Sequence, residues 1–513
     1  MNKSHLFRVT GVSLLGVAAL ISACSSDDDT TNGGGGSGGK ASGGSSAGGT
    51  SAGTGGKAAG GSGGTAAGGA AAGSAGEDAG GEGGASGSSN ATKFTVTLEN
   101  VATPKLFTSG GIFNTPAGDS APGPATPGKS YQFTIDAGRK QKLSFATMLA
   151  ATNDLFYGPN GDGIALYDDV GAPISADVTS QIHLWDAGTE VNEEPHVGPN
   201  TVTNQAAPNT GPDEHGNVVD IADATDGVAF AYPAVASVIQ VTVTHTVDTH
   251  FLVTIKDVSS ASALVTSKGN FAAPLSPGVW VVHNGKDALY TVGMPDRGKG
   301  LEHIAEDGNP TALGAFVADN TGITYPASPG VWVVHSSGTK PLFTTGMKDY
   351  GDGIEAIAED GNPTMLGGKL STLDGELAGA VFNMPVGAGA PGPILPGSKY
   401  QFSFTASPGD ALSFASMLAA TNDVFFAPKD TGIALFDASG APVSGDLTSL
   451  VSLWDAGTEG NEEPGIGPNT VTNQPAPNTG TPGEGKVQLL SDVNDGFTYP
   501  APSAVLKVSI ASQ

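Results

Sequence analysis

A seven-residue stretch, Leu-Trp-Asp-Ala-Gly-Thr-Glu, occurs twice in the chain, at 184–190 and again at 453–459. Both copies continue through Asn-Glu-Glu-Pro into Gly-Pro-Asn-Thr-Val-Thr-Asn-Gln. The offset is 454 − 185 = 269 residues, and the same offset carries Phe113 onto Phe382 without a gap. A repeat that keeps its register over about a hundred residues is a duplicated domain rather than a short solenoid unit.

The chain has 513 residues and a formal net charge of −28, although only 14% of its residues are charged. This length suits two or three ordinary domains. A negative field of this size repels nucleic acid and anionic lipid, so we expect neither as a partner. An acidic surface rich in Gly, Thr and Asn is typical of a protein held in solvent outside the cell.

The N-terminal segment has the pattern of a targeting signal. Basic residues precede an apolar run over 12–21 that is too short for a membrane-spanning helix. The run ends in Ser22-Ala23-Cys24, which is typical of the lipobox of a bacterial lipoprotein signal peptide, here 1–24. We therefore predict a lipid on Cys24 as the protein's contact with the membrane, at a bacterial outer membrane or cell surface. The alternative is an ordinary signal peptide and secretion.

Cys24 is the only cysteine, so its lipidation leaves no thiol for disulfides or for thiol catalysis. After it, residues 25–91 are mostly Gly, Ala, Ser and Thr and cannot bury a core. We predict that this segment is a disordered, flexible tether.

Short alternating strands dominate the rest of the sequence. Phe94–Leu98 alternates strictly between apolar and polar residues, further strands follow at 131–135, 142–145, 164–167 and 238–243, and Pro/Gly turns separate them. A strand resembling the first one restarts at Phe251. This pattern predicts an all-β chain of two antiparallel β-sandwiches, over 92–247 and 248–513.

A second, shorter repeat lies in the middle of the chain. Ser-Pro-Gly-Val-Trp-Val-Val-His recurs at 276–283 and 328–335, and each copy leads to Ile-Ala-Glu-Asp-Gly-Asn-Pro. The sequence of each unit predicts a strand, a hairpin and one or two helical turns that end at Gly308 or Gly361. We expect both units, over 276–316 and 328–368, to be a tandem insertion in the second sandwich.

These sequences together resemble the spondin N-terminal domain family. The resemblance rests on Thr-Asn-Asp before an aromatic or apolar pair (152–156, 421–425), on Trp-Asp-Ala-Gly-Thr-Glu, and on Val-Trp-Val-Val-His with Ile-Ala-Glu-Asp-Gly. It covers nearly all of 93–513 and implies a C2-like sandwich, Ca²⁺ in loops at one end, and a role in adhesion and matrix contact. The chain lacks the disulfide cysteines of the animal members, so their matrix partners are not carried over.

Aspartates follow directly on apolar strands, beside turn residues, in both copies. Loops at one end of a sandwich can supply the six to eight oxygens that Ca²⁺ takes. The resemblance points to the same aspartates, and the candidate ligands are Asp154, Asp186, Glu190, Asp423, Asp455 and Glu459. The alternative is that Asp-Ala-Gly-Thr forms an Asx-turn whose carboxylate accepts hydrogen bonds from backbone N–H groups.

The duplicated tryptophans and histidines have structural interpretations. Trp185 and Trp454 alternate with leucines at strand ends, so we expect core anchors rather than a platform for stacking carbohydrate. His283 and His335 end strands without a nearby cysteine or second histidine, so we expect no zinc site.

We therefore expect a surface lipoprotein that binds extracellular or cell-surface protein or polysaccharide, and not an enzyme. Histidine-based catalysis finds no support, because His183 and His196 become Ser452 and Gly465 in the second copy. Two alternatives stay open. One is a secreted glycan hydrolase with paired carboxylates such as Asp186 and Glu190. The other is a surface module that is structural and binds no metal.

Overall fold

The computed structural model describes residues 91–513, and most of its regular structure is β-strand, which confirms the all-β prediction. The predicted signal peptide, Cys24 and the tether up to residue 90 lie outside the described residues. No helix within 91–513 combines the length and the apolar character needed to cross a membrane.

The structure contains 24 strands and five short α-helices within the described residues, besides single turns of 3₁₀ helix. The strands are β1 (Thr92–Asn100), β2 (Ser109–Phe113), β3 (Ser130–Asp136), β4 (Lys142–Leu149), β5 (Leu155–Pro159), β6 (Ile164–Ala165), β7 (Ser175–Asp177), β8 (Ile182–Asp186), β9 (Val219–Asp220), β10 (Ile239–Val247), β11 (His250–Asp257), β12 (Leu264–Thr266), β13 (Gly269–Phe271), β14 (Leu275–His283), β15 (Ala327–Ser336), β16 (Glu376–Phe382), β17 (Lys399–Ala406), β18 (Asp410–Leu418), β19 (Val424–Pro428), β20 (Ile433–Ala434), β21 (Gly445–Asp446), β22 (Val451–Asp455), β23 (Gln488–Leu489) and β24 (Leu506–Ser512). The helices are α1 (Leu301–Asp307), α2 (Thr311–Asn320), α3 (Ile354–Asp360), α4 (Thr364–Gly367) and α5 (Pro502–Val505).

The strands form two antiparallel sandwiches with the same topology. In the first sandwich, the sheet β3-β11-β10-β7 packs on the sheet β2-β14-β4-β5-β8-β9, with β6 beside β4. In the second sandwich, the sheet β17-β1-β24-β21 packs on the sheet β16-β15-β18-β19-β22-β23, with β20 beside β18. Each strand of these sheets therefore has a counterpart in the other sandwich, as expected of a duplicated domain, while β12 and β13 form a separate two-stranded sheet without a counterpart.

The strand pairing divides the chain differently from the predicted boundaries at 247 and 248. β1 lies between β17 and β24 in the second sandwich, and β11 lies between β3 and β10 in the first. The first sandwich thus runs from β2 to α2 and is inserted between β1 and β15 of the second. The sequence did not reveal this, because β1 and β11 share one alternating pattern, and the tight β10–β11 hairpin looks like a domain junction.

The two middle units also separate, which corrects the prediction of a tandem insertion in the second sandwich. The strand of the first unit, β14, pairs with β2 and β4 of the first sandwich. The strand of the second unit, β15, pairs with β16 and β18 of the second sandwich. Each sandwich therefore contains one Val-Trp-Val-Val-His strand, and the first sandwich is a circular permutation of the second.

The chain enters and leaves the first sandwich at one place. Phe107 forms a parallel bridge with Thr321, and the Leu106 amide donates to the Asn320 carbonyl at 2.9 Å. The segment that leads into the first sandwich and the segment that leads out of it therefore pair with each other where the first sandwich is inserted into the second.

The two sheets of each sandwich differ in burial, and their sequences differ accordingly. The larger sheet has the other sheet on one face and helices on the other, so β4 and β5 are buried almost without interruption. The smaller sheet exposes one face, so β1 and β17 alternate between buried and exposed side chains. A strand covered on both faces gives a continuous apolar run, and a strand covered on one face gives an alternating pattern.

The helices end where the sequence predicts. Gly308 and Gly361 follow α1 and α3 with φ of 64° each, in the left-handed region that glycine adopts without strain. The backbone amides of Asn309 and Asn362 then donate hydrogen bonds to the carbonyls of His303 in α1 and Ala356 in α3. α1 is thereby held against the outer face of the larger sheet, close to the loop after β8.

The assignment of β1 to the second sandwich predicts which sandwich a core mutation weakens. Phe94→Ala removes a fully buried ring packed on Phe404 and Phe436, and we expect a loss of about 3–5 kcal/mol. Faster amide hydrogen exchange should appear in β17 and β24.

The matched change is Phe251→Ala in β11, which should increase exchange in β3 and β10 instead. If Phe94→Ala loosened β3 and β10, the strand assignment would be wrong.

Candidate metal centre

The ends of two neighbouring strands bring Asp154 and Asp186 together. Asp154 directly precedes β5, and Asp186 is the last residue of β8. The two strands are antiparallel, with Leu155 opposite Asp186. The end of one strand therefore lies beside the start of the other. In the second sandwich Val424 lies opposite Asp455 in the same way, next to Asp423.

Asp154 and Asp423 are completely buried, and each has one carboxylate oxygen without a partner. Asp154 Oδ2 accepts a hydrogen bond from the Glu190 amide at 3.1 Å, and Asp423 Oδ2 accepts one from the Glu459 amide at 3.2 Å. The Oδ1 atom of each aspartate is buried without a hydrogen-bond donor, and the neighbouring carboxyl group of Asp186 or Asp455 is close enough to share a proton with that of Asp154 or Asp423. A buried carboxylate oxygen that is ionised and has no partner lowers the stability of the folded state unless another group or an ion contacts it.

Asp186 and Asp455 each use one oxygen in the turn that follows. Asp186 Oδ1 accepts from the Gly188 amide at 2.8 Å, and Asp455 Oδ1 accepts from the Gly457 amide at 2.6 Å. The Asx-turn proposed from the sequence is thus present. It accounts for one oxygen of these two aspartates and for none of the unpaired oxygens of Asp154 and Asp423.

A third carboxylate, which the repeated sequence does not indicate, joins the first pair. Glu214 lies in the loop between β8 and β9, and oxygens of Asp154, Asp186 and Glu214 all lie within 4.8 Å of one another. Glu214 Oε2 is buried and has no hydrogen-bond partner. Three carboxylates at this separation form a group that can hold a metal ion.

More oxygens surround this cluster. Asn192 donates through its side-chain amide to Asp186 and to Asp226, while its own Oδ1 is buried and unpaired. The hydroxyl of Tyr232 is also buried without a hydrogen-bond partner. Carboxylate, amide and hydroxyl oxygens are the ligand types that Ca²⁺ takes.

Burial and mutual repulsion raise the pKa values of these carboxyl groups. The pKa of Asp154 lies well above its usual range, first because of burial and then because of Asp186. Burial and then the charges of Asp186 and Asp226 raise the pKa of Glu214 to about 7. Burial also raises the pKa of Asp423, and Asp455 adds to it. A bound cation would remove this repulsion and favour the ionised forms.

Glu190 and Glu459 were predicted as ligands, but the structure places their carboxylates in hydrogen bonds to neighbouring loops. Glu190 Oε1 accepts from the Gly211 amide at 2.7 Å, and Oε2 accepts from the Asn153 side chain at 3.4 Å. Glu459 makes the same two contacts with Gly480 and Asn422. The group of carboxylates within 4.8 Å does not include Glu190. These glutamates hold the loop after β8 in place.

The duplicated tryptophans and histidines lie in structural positions. Trp185 and Trp454 are buried between the larger sheet and the helices, and each indole N–H donates to a backbone carbonyl. His283 is buried between Ser144 and the Gly285 carbonyl, and burial lowers its pKa to about 4. His335 pairs with Ser413 in the same way.

Two buried carboxyl groups lie beside the loops that follow β8 and β22. Glu306 in α1 and Glu359 in α3 are 1% and 2% exposed, and the hydroxyl groups of Thr189 and Thr458 lie beside their carboxyl groups. Burial is the main cause that raises the pKa of each to about 8. Both groups are therefore protonated at neutral pH when no cation is near.

The comparison with protein-family models finds no match for this chain, and the search of curated proteins finds none either.

The raised pKa of Glu306 predicts a pH-dependent effect of Glu306→Gln. Between pH 4.5 and about 8, the carboxyl group of Glu306 holds a proton in the folded protein and loses it in the unfolded chain. The free energy of unfolding of wild type therefore falls as pH rises through this range. The glutamine variant avoids that loss. In EDTA, its melting temperature should exceed that of wild type at pH 8.5, by a free energy on the order of a few kcal/mol, and the gain should vanish near pH 5.

Glu359→Gln should behave alike, and Glu302→Gln on the same helix as Glu306 is the control, because Glu302 is partly exposed. A gain for Glu306→Gln that is equal at pH 5 and pH 8.5 would contradict the assignment of a buried, protonated carboxyl.

Proposed function

We propose that the chain is a cell-surface protein whose two sandwiches each bind Ca²⁺ at the end formed by the loop before β5, the loop after β8 and their counterparts. We further propose that these ends take part in adhesion to extracellular or cell-surface protein or polysaccharide. One observation carries the proposal. In both copies, a fully buried aspartate keeps an unpaired oxygen beside a second aspartate.

The chemistry of the ligands favours Ca²⁺ over other metals. The available donors are oxygens from Asp154, Asp186, Glu214 and Asn192, and the cluster contains no histidine or cysteine. Zinc and copper prefer nitrogen and sulfur ligands, whereas carboxylates and carbonyls suit Ca²⁺ and Mg²⁺. The donors come from separate loops, which suits the irregular coordination of Ca²⁺ better than the strict octahedron of Mg²⁺.

Burial argues for binding rather than glycan hydrolysis. Glycosidase carboxyl groups flank a bond in an open cleft. Asp186 and Glu190, the pair considered from the sequence, are 1% and 2% exposed, and backbone amides occupy one oxygen of each. Both carboxylates are thus buried and engaged in holding their own loops, which supports a binding protein.

The proposals of adhesion and of a lipid anchor are based on the amino-acid sequence. The resemblance to the spondin family implies matrix contact, and a lipid on Cys24 followed by the tether would hold the sandwiches outside the cell. A net charge of −28 favours partners other than nucleic acid or bare anionic membrane.

Calcium should raise the melting temperature of the full chain. If each site binds with Kd on the order of 10⁻⁴ M, a few millimolar CaCl₂ adds roughly 2 kcal/mol per site relative to EDTA. This corresponds to a rise of several degrees, at about 2–4 °C per kcal/mol. Asp154→Asn should remove the stabilisation of the first sandwich, and Asp423→Asn that of the second.

MgCl₂ at the same concentration is the control for general ionic effects. Equal melting temperatures in EDTA and in CaCl₂ would refute the metal site and leave the turns as purely hydrogen-bonded structures.

The adhesive role can be tested with bacteria that display the chain. Cells with wild-type protein should attach to surfaces coated with extracellular polysaccharide or protein more than cells without it, and EDTA should reduce this difference. The double variant Asp154→Asn/Asp423→Asn, displayed at an equal level, should attach like cells in EDTA. Attachment of the double variant at the wild-type level would contradict a calcium-dependent adhesive role.

A further inference from the structure

We infer that the two sandwiches bind the cation unequally, with the tighter site in the first sandwich because only that site has the carboxylate of Glu214. This inference rests on the proposed function, and it assigns a third ligand and a difference in affinity that the duplicated sequence does not suggest.

The position of Glu214 has an unambiguous counterpart in the second sandwich. The Glu214 amide donates to the Thr189 carbonyl at 3.1 Å, and the Gly483 amide donates to the Thr458 carbonyl at 2.9 Å. Two residues later, Gly216 and Gly485 donate to Gly188 and Gly457 at 2.8 and 2.7 Å. The two loops thus make corresponding backbone hydrogen bonds, and Gly483 stands where the first sandwich has Glu214.

Gly483 cannot be replaced there by a residue with a side chain without a shift of the loop. A Cβ atom on Gly483 would lie 2.7 Å from the Gly457 carbonyl oxygen and still closer to that of Glu459. The loop therefore approaches the Asx-turn too closely for any side chain. The neighbouring acid, Glu484, does not compensate, because it is exposed and pairs with Lys486 at 3.1 Å.

The buried oxygens without partners show the same difference. The first site has four around it, namely Asp154 Oδ1, Asn192 Oδ1, Glu214 Oε2 and the hydroxyl oxygen of Tyr232. The second site has two, Asp423 Oδ1 and Asn461 Oδ1. Asp154 and Asn192 are 0% and 3% exposed, so water does not reach these side chains freely. Among the described residues, the one group of three carboxylates close enough to share an ion is that of the first sandwich.

The affinity of a Ca²⁺ site rises with the number of charged ligands. Three carboxylates against two predict a difference of about tenfold or more in Kd between the sandwiches. Calcium should therefore fill the first sandwich before the second.

The inference is tested by isothermal titration of CaCl₂ into the full chain after removal of metal with EDTA. Wild type should show two classes of site. Glu214→Gln should weaken the tighter class by about tenfold or more and leave the weaker class unchanged. Asp423→Asn should remove the weaker class and leave the tighter one.

Asp213→Asn is the matched control, since Asp213 is adjacent to Glu214 in the same loop but contacts His215 at the surface. It should change neither class. Each variant should keep the wild-type circular dichroism spectrum in EDTA, and Glu214→Asp, which retains the charge, should lose less affinity than Glu214→Gln.

Two sites of equal affinity, or a Glu214→Gln variant that binds like wild type, would overturn the inference while the proposed calcium binding stands. No heat of binding at millimolar CaCl₂ in wild type would overturn both. Loss of the tighter class in Asp213→Asn as well would show that the charge of the loop, and not ligation by Glu214, sets the affinity.

Discussion

The antiparallel pairing of β5 with β8, and of β19 with β22, places two buried aspartates side by side. Desolvation and repulsion both oppose ionisation there, and the protein supplies hydrogen bonds to only some of the oxygens. A divalent ion offsets both costs at once. The surrounding Asx-turn, the loop held by Glu190 and the helix that carries Glu306 are all arranged around this pair, so the cluster is the feature on which this end of each sandwich depends.

Duplication and permutation together explain the rest of the architecture. Each sandwich needs a central strand in its smaller sheet and a Val-Trp-Val-Val-His strand in its larger one. The second sandwich takes β1 from before the first sandwich and β15 from after it, so it cannot be complete until the whole chain has been made. The first sandwich is continuous in sequence. Because contacts that are local in sequence form at a lower entropic cost, we expect the first sandwich to fold before the second.

Much of the fold follows from the sequence, because alternation of apolar and polar residues identifies strands covered on one face. The same pattern cannot say which sandwich a strand joins. β1 and β11 present equivalent apolar residues, Phe94 and Phe251 among them, and only the three-dimensional pairing distinguishes them. The hairpin before β11 and the repeat of the opening strand both suggested a boundary where the structure has a continuous sheet.

The candidate site was partly predictable for a related reason. Comparison of the two copies draws attention to residues they share, which identifies Asp154 and Asp186. It also draws attention to Glu190, whose shared role is to hold a loop. Glu214 is replaced by Gly483 in the second copy and lies in a loop without periodic pattern, so comparison of the two copies does not identify it. Its role depends on a path of backbone hydrogen bonds that only the folded loop reveals.

A crystal structure determined in millimolar CaCl₂ would test most directly whether the two aspartate pairs bind Ca²⁺. We predict an ion about 2.3–2.6 Å from Asp154 Oδ1 in the first sandwich and from Asp423 Oδ1 in the second, with anomalous scattering that identifies calcium. The contrary result is a structure, under the same conditions, in which these oxygens contact only water or share a proton with Asp186 and Asp455. In that case, the aspartate pairs would be buried hydrogen-bonded structures and not metal sites.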